Sequence, residues 1–472
     1  MPITSNQYRA SLQNIQSRYI QLELLNYQFQ TVDRLEGVAI SGSISIDANA
    51  DIRRTGSIVM TVSNGTFEVG TGNKIWLDKY IRVYVGTMSF LSGEVEWTNC
   101  GIYIIDAPSY SYDLSTNTLT LSLLDMMAKL TGVRNGYLPG VPVTLKAGEN
   151  IRQTIIDTLS LGGFTNYIVE EAPSPGTIPT DLEFSQGATI YQLLVGLRDI
   201  YPDYEIFFDV NGTFYYKPIP TGEGDPVIAD DDLFNKTVLT EQLDTDFQSV
   251  KNSIEVYGRT HNPAHFSTST SVSGVNISLT IADVSSYTTD MIYGFTLTDN
   301  TGIIAPYLKI NSLANYPILN DDGTPAIITA ETGEVYYCVQ FQGTSWRWLG
   351  HLQAYGFAED ENPDSPFYVE GTVGRIRLPL YGGVYDNCLT DELAQIRANY
   401  ELWMRTNMNN TLTLTCTPCY WLDVNQLIER TLARNGVKSK YLIKTITYGL
   451  APTDTMTITA IQFYPNGGNN IT

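Results

Sequence analysis

The sequence predicts a mainly β protein with α+β parts: two similar β-barrel domains, an α+β domain between them, and an insertion in the second barrel. Three observations lead there. The chain carries 31 Tyr and 16 Phe but only 17% charged residues, a composition suited to pleated, half-buried surfaces. Long stretches alternate apolar and polar residues with period two. A succession of strand, Trp-Leu-Asp, strand and hairpin occurs near both ends of the chain. The length of 472 residues calls for two to four domains, given roughly 100–200 residues per domain.

The N-terminal barrel is expected over 1–130. VAISGSISIDANADIRRTGSIVMTVSN (38–64) puts Ile44 and Ile46, then Ile58, Met60 and Val62, on one side with polar residues between. IRVYVG (81–86) and CGIYIIDAPSYSYDLSTNTLTLSLLDMM (100–127) continue it, the latter as a hairpin turning at Asp113–Asn117. A small α+β domain follows over 131–222. Helices are predicted at 147–165, with Ile151, Ile155 and Leu159 at helical spacing, and at 188–200. YEIFFDVNGTFYYKPIP (204–220) reads as a hairpin about Asn211-Gly212.

The second barrel is assigned to 223–264 and 356–472 and includes a long helix at 390–409. Thr390 is placed to cap it, Asp391 and Glu392 suit its first turn, and Leu393, Ile396, Tyr400 and Trp403 form one apolar stripe. The stripe is read as core or subunit packing. KYLIKTITYGLAPTDTMTITAIQFYP (440–465) closes the barrel as a hairpin turning at Ala451–Asp454. Residues 265–355 form a β-rich insertion whose first part, HFSTSTSVSGVNISLTIADVSSY, reads as exposed and loosely patterned.

A net charge of −22 argues against gripping nucleic acid through phosphates, because that needs clustered Lys and Arg. It remains compatible with lining a passage through which DNA slides. No apolar run reaches the roughly 18 residues needed to span a bilayer, and the N-terminus shows no signal-peptide core. Five cysteines in a chain this long fit no complete disulfide framework, which points to synthesis in a reducing cytoplasm.

The chemistry-bearing residues give no catalytic, metal or cofactor site. Cys416-Thr-Pro-Cys419 has the spacing of a redox dithiol. Cys416, however, ends a strand with Leu412 and Leu414 on its apolar face, rather than opening a helix that would lower its pKa. Zinc would need two further ligands at suitable spacing; Cys100, Cys338 and Cys388 are scattered. Pro263 separates His261 from His265, and His351 stands alone, so the histidines are read as structural. The acidic runs Asp230–Asp232 and 359–364 (EDENPD) lack the spacing of a calcium loop and are read as solvated loops. No nucleophile elbow, phosphate loop or dinucleotide fingerprint is present.

Comparing the chain with itself is more productive. SIVMTVSN…KIWLDKYIRVYV (57–85) and TLTLTCTPCYWLDVNQLIERTL (411–432) each run an alternating strand into Trp-Leu-Asp and then another strand. Each continues into a hairpin, 102–125 and 441–463. Three such subunits in a ring would present six barrels and could match a six-fold ring on one side and a three-fold partner on the other.

The chain resembles the baseplate or tail-tip hub proteins of tailed bacteriophages. The resemblance rests on EDENPDSPFYV (359–369), TDELAQIRANYELW (390–403), YWLDVNQLIE (420–429) and the closing hairpin. LEFSQGATIYQLLVGLRDIYPDYEIFFDVNGTFYYKP (182–218) and the V-x-N-x-I-x-V-Y-G pattern at 250–258 extend it. Together they cover most of 1–260 and 355–472. The resemblance implies a non-enzymatic homotrimer in the virion tail, made in the host cytoplasm. Its partners would be the tail tube or distal tail protein above and a spike, fibre or other baseplate protein below. DNA would pass through without specific binding, and the insertion at 265–355 departs from a minimal hub. Two other readings stand beside it. One is a carbohydrate- or receptor-binding tail module, motivated by the 31 tyrosines and the exposed-looking insertion with Trp346 and Trp348; the other is an oxidoreductase or hydrolase using Cys416 and Cys419.

Overall fold

The computed structural model describes residues 17–36, 39–62, 67–88, 93–112, 117–140, 142–173, 175–179, 181–406 and 409–465. The chain's start, residues 113–116 of the turn expected at Asp113–Asn117, and residues 407–408 of the span 390–409 expected as helix lie outside them. The protein is mainly β, as its composition predicts.

Seven strands come first: β1 (Arg18–Leu25), β2 (Thr31–Glu36), β3 (Ala39–Asp47), β4 (Arg54–Thr61), β5 (Tyr80–Met88), β6 (Val95–Tyr112) and β7 (Asn117–Leu124). A compact α+β unit follows. It contains β8 (Val143–Leu145), the helix Ile151–Leu161, β9 (Tyr167–Val169), β10 (Leu182–Phe184), the helix Ile190–Arg198, β11 (Tyr204–Phe208) and β12 (Phe214–Pro218). Both predicted helices form because a polar residue caps each start: Asn150 accepts from Gln153 N, and Thr189 with Gln192 makes a reciprocal capping box. The β11–β12 turn uses Gly212 at φ +75°, a conformation that glycine adopts without steric cost.

Next come β13 (Val227–Ala229), the short helix Asp231–Thr237, β14 (Val238–Asp246) and β15 (Ser253–Thr260). The insertion contributes ten strands, β16–β25, from His265–Phe266 to Trp346–His351. The chain ends with β26 (Gln353–Glu359), β27 (Arg377–Tyr381), the helix Asp391–Arg405, β28 (Asn409–Cys416), β29 (Leu427–Thr431), β30 (Lys438–Gly449) and β31 (Met456–Gln462).

The internal repeat is present in the strand order. In the first copy the order is β3-β4-β7-β6-β5; in the second it is β14-β28-β31-β30-β29. The registers agree residue by residue. Ile58 faces Leu121 where Leu414 faces Ile458, and Tyr103 faces Ile81 where Tyr441 faces Ile428. Even the irregularities recur: between Ile105 and Pro108 as between Ile443 and Thr445, and between Ala39 and Ser41 as between Val238 and Thr240. The two repeats do not stand apart. The far half of β30 pairs with β3, joining them in one 13-stranded sheet over one continuous apolar core.

Two parts of the second-barrel segment fold differently from expectation. β15, β26 and β27 pair among themselves as a separate three-stranded sheet, with the helix Asp391–Arg405 against it. Thr390 caps this helix as predicted, accepting from Leu393 N at 3.2 Å. The face on the sheet is not the apolar stripe but Ala394, Ala398, Glu401 and Leu402, while Ile396 is 43% exposed. The reason is close approach: a Cβ on Gly356 would stand 2.2 Å from the Ala394 backbone. Of the stripe, Leu393 still packs on the sheet's cluster, whereas Tyr400 and Trp403 line a cavity together with Ile219, Leu442 and Phe463.

The insertion has its own eight-stranded sheet and its own core. The first half of its opening segment, 265–276, has no buried residue, in line with expectation, but Ile277, Leu279 and Ile281 beyond it are buried in alternation. Trp346 is fully buried and donates from Nε1 to Leu308 O at 2.9 Å, and Trp348 is buried too. That takes the two tryptophans away from the carbohydrate-binding reading, which they had helped to motivate.

Candidate functional site

The alternation that buries one face of the repeats fixes what the other face shows. Ile44, Ile46, Ile58, Met60, Leu119, Leu121, Leu412, Leu414, Ile446 and Ile458 point into the core, so their neighbours point away from it. Those neighbours are hydroxyls: Ser41, Ser43 and Ser45 on β3, Thr55 and Ser57 on β4, and Thr118, Thr120 and Ser122 on β7. The second repeat adds Thr411, Thr413 and Thr415 on β28, Thr445 and Thr447 on β30, and Thr457 and Thr459 on β31. Cross-strand contacts order some of them, with Ser45 Oγ 3.1 Å from Thr447 Oγ1 across the seam between repeats. Among the described outward positions of β3, β4, β7, β28, β31 and the far half of β30 (445–449) there is no Lys or Arg. Lys438 and Lys440 stand at outward positions of the near half of β30, and Asp47, Asp244 and Asp246 add negative charge at the margins. The stretch without Lys or Arg is hydrated but offers a polyanion no cation to displace its counterions.

A buried polar cluster holds this sheet to the α+β unit. Arg54, 1% exposed, bonds Asp423 of the second repeat and the Phe208 carbonyl of β11. Its backbone N donates to Asp125 Oδ2 at 2.9 Å. Arg53 Nη2 donates to Glu205 Oε2 at 2.5 Å and its guanidinium lies 4.0 Å from the Phe207 ring centre. Asn425 Nδ2 donates to the same Glu205 oxygen at 2.6 Å, and Lys444 Nζ reaches Asn425 Oδ1 at 3.1 Å. Burial pulls the Lys444 ammonium down to about 8, and neighbouring Glu205 opposes that shift. The cluster therefore bolts three parts of the chain together at one point.

The cysteines behave as core residues. Cys416 and Cys419 are fully buried and unbridged. Burial pushes the Cys100 and Cys338 thiols up to about 12 and Cys388 to about 11, the opposite of an activated thiolate. Trp421-Leu422-Asp423 and Trp76-Leu77-Asp78 occupy the same place, before β29 and β5. Their surroundings differ: Leu422 is 2% exposed and Leu77 is 60% exposed.

Sequence reasoning missed the environment of His351. Its Nδ1 lies 2.7 Å from Asp391 Oδ2, and its Nε2 lies 3.3 Å from Glu331 Oε2. Burial alone would lower its pKa, but the two carboxylates outweigh that and raise it to about 9. Asp391 also accepts from the backbone N of His351 and of Tyr355, so this group locks the helix start to the insertion's last strand. Both ring nitrogens are engaged, which leaves neither to act as a base. His261 is buried rather than looped out.

The acidic runs are solvated in part, with Asp230, Asp232, Glu361 and Asp364 exposed, while other members hold local structure. Asp230 caps the helix Asp231–Thr237, and Asp231 accepts from Thr431 N and Oγ1. Asp360 is 3% exposed and accepts from Ser365 Oγ at 2.5 Å. Among the described residues, no group of three His, Cys, Asp or Glu is placed to hold a metal ion. No described helix is long and apolar enough to cross a membrane.

The fold is similar to that of a prophage tail protein. A tail protein of prophage MuSo2 from Shewanella oneidensis aligns with TM-score 0.51 at 12% identity, covering 94% of this chain and 98% of that one. A tail protein from Neisseria meningitidis (TM-score 0.48, 9% identity, 95% and 96% covered) is also similar. So is prophage tail protein gp18 from Listeria monocytogenes (TM-score 0.45, 11% identity, 94% and 94% covered). Residues 364–466 match a family described as a domain of unknown function (DUF5048). No curated protein matches the sequence.

Proposed function

We propose that the protein is the structural hub of a phage tail or baseplate and not an enzyme. In this reading a homotrimeric ring joins the six-fold tail tube to a three-fold spike or fibre and leaves a passage for DNA. The observation that carries it is the duplicated five-strand repeat, joined edge to edge through β3 and the far half of β30 so that the hydroxyl-bearing stretch beside the seam, which holds no Lys or Arg, runs from one copy into the other. Two equivalent units per chain let a three-fold ring present six similar faces to a six-fold tube. A lumen walled by Ser and Thr with Asp at its edges would let DNA slide without being held, since no phosphate along that stretch finds a Lys or Arg. The α+β unit would lie outside this wall, bolted to it by the Arg53–Arg54 cluster, and so would the insertion, which is tied through His351 to Asp391 at the start of the long helix.

Light scattering coupled to gel filtration should find a trimer, or a monomer that trimerises on the tail tube. A stable dimer with no affinity for the tube would overturn the hub. Imaging of the virion should place three copies at the distal end of the tail.

A further inference from the structure

We infer that neighbouring copies are stitched together by strand pairing between the outer edge of β14 in one copy and residues 106–112 of β6 in the next. This rests on the ring reading above. Within the chain, the seam between repeats is made by β3 and the far half of β30, paired as Ser43↔Gly449, Ile44↔Tyr448, Ser45↔Thr447 and Ile46↔Ile446. By the registers, β14 is the repeat equivalent of β3, and the far half of β6 is the equivalent of the far half of β30. Among the described residues β14 ends the sheet, and the far half of β6 pairs with β7 alone, because its pairing with β5 stops at Ile104. The chain therefore makes this joint once and carries both halves of a second, open one.

The exposure pattern matches. Tyr448 and Leu450, covered by the seam, are 2% and 0% exposed, whereas their equivalents Tyr110 and Tyr112 are 48% and 77% exposed. Next to β14, Phe247 is 74% exposed. A head-to-tail joint of this kind closes into a ring rather than a two-fold pair. It also covers two open edges, which otherwise invite unspecific pairing.

The equivalence sets the register: Gln242↔Ser111, Leu243↔Tyr110, Asp244↔Ser109 and Thr245↔Pro108 of the next copy. Within the chain, Leu450 N donates to Gly42 O and Ala48 N to Lys444 O, each at 3.0 Å. The corresponding bonds run from Tyr112 N to Glu241 O and from Phe247 N to Asp106 O. Two differences make the joint between copies the weaker one. Pro108 has no N–H where Ile446 has one, and Asp106, standing for Lys444, faces Asp246, standing for Asp47. The inner seam thus forms with folding and the outer one with assembly.

Asp244 and Ser109 would form a pair without mutual backbone hydrogen bonds, with Cα atoms about 4.5 Å apart, within disulfide range. The variant D244C/S109C, oxidised as purified full-length protein at several concentrations, is expected to give a covalent ladder ending at three copies. Each single cysteine variant, and D244C/S122C with its second cysteine one strand further along, should give none. P108V and D106K are each expected to shift the monomer–trimer balance toward trimer in light scattering. A trimer that forms without the D244C/S109C cross-link overturns this joint and leaves the hub standing. A chain that stays monomeric or dimeric at every concentration, with and without tail tube, overturns both.

Discussion

The two repeats share strand order, register and bulges, yet they live in different surroundings. In the second, Asp423 meets the buried Arg54, Leu422 is covered, and Tyr448 is sealed under the seam. In the first, the equivalent Asp78 is exposed and pairs with its neighbour Lys79 at 2.6 Å, Leu77 is exposed, and Tyr110 is half exposed. One copy is clamped on both sides by the rest of its own chain; the other keeps an open flank. Duplication thus conserved the sheet while burial was redistributed by whatever packs on each copy. The same side chain is structural in one repeat and available for assembly in the other.

This contrast can be broken or sharpened by substitution. The largest effect is expected at the bolt. Glu205→Ala leaves Arg53 buried without its carboxylate and should destabilise the chain by about 3–5 kcal/mol, read as a lower midpoint in urea unfolding. Tyr448→Ala should cost about 3–4 kcal/mol, as for other large buried rings. Tyr110→Ala should cost less than about 1 kcal/mol in the isolated chain; equal losses would show that the repeats are not in different environments. Gly356→Ala drives a Cβ into the helix backbone and should cost about 1–3 kcal/mol, with hydrogen exchange rising in 391–405 before it rises in the repeats.

A smaller effect attends pH. His351 has a folded pKa near 9 against an ordinary value of 6.5, so the folded state holds a proton that the unfolded state has lost between those values. Its stabilisation is full below about pH 6.5 and is lost as pH rises through about 9. For a pair this close to solvent the loss should be about 1 kcal/mol. His351→Gln should flatten that part of the stability–pH curve. Smallest is Asp78→Ala, expected within about 0.5 kcal/mol of the parent. Asp423→Ala would be its costly counterpart, because it strips a buried guanidinium of its partner.

Much of the sheet was legible in the sequence. Ile44/Ile46, Leu412/Leu414 and the T-x-T runs alternate strictly, and period-two burial admits one reading of which face goes inward. The cap at Thr390 and the turn at Asn211-Gly212 were equally plain, because local hydrogen bonding and φ decide them. The helix stripe misled, since Ala394 and Ala398 were chosen for close approach to Gly356, which no hydropathy pattern records. Trp346 and Trp348 gave no sign of being core, because burial of an aromatic depends on partners far along the chain. His351 gave none either, as Glu331 and Asp391 reach it only in three dimensions.

What the sequence by itself determined was the β character, the position of most strands and the existence of a repeat. These follow from side-chain alternation and turn chemistry, which act over a few residues. Only the tertiary structure decided that β3 joins β30 across some four hundred positions, that Arg54 meets Asp423, and that the hydroxyl-bearing stretch continues across the seam. Edge pairing depends on which backbone edges are left unsatisfied once each repeat has formed, and that is a property of the assembled sheet rather than of any segment in it.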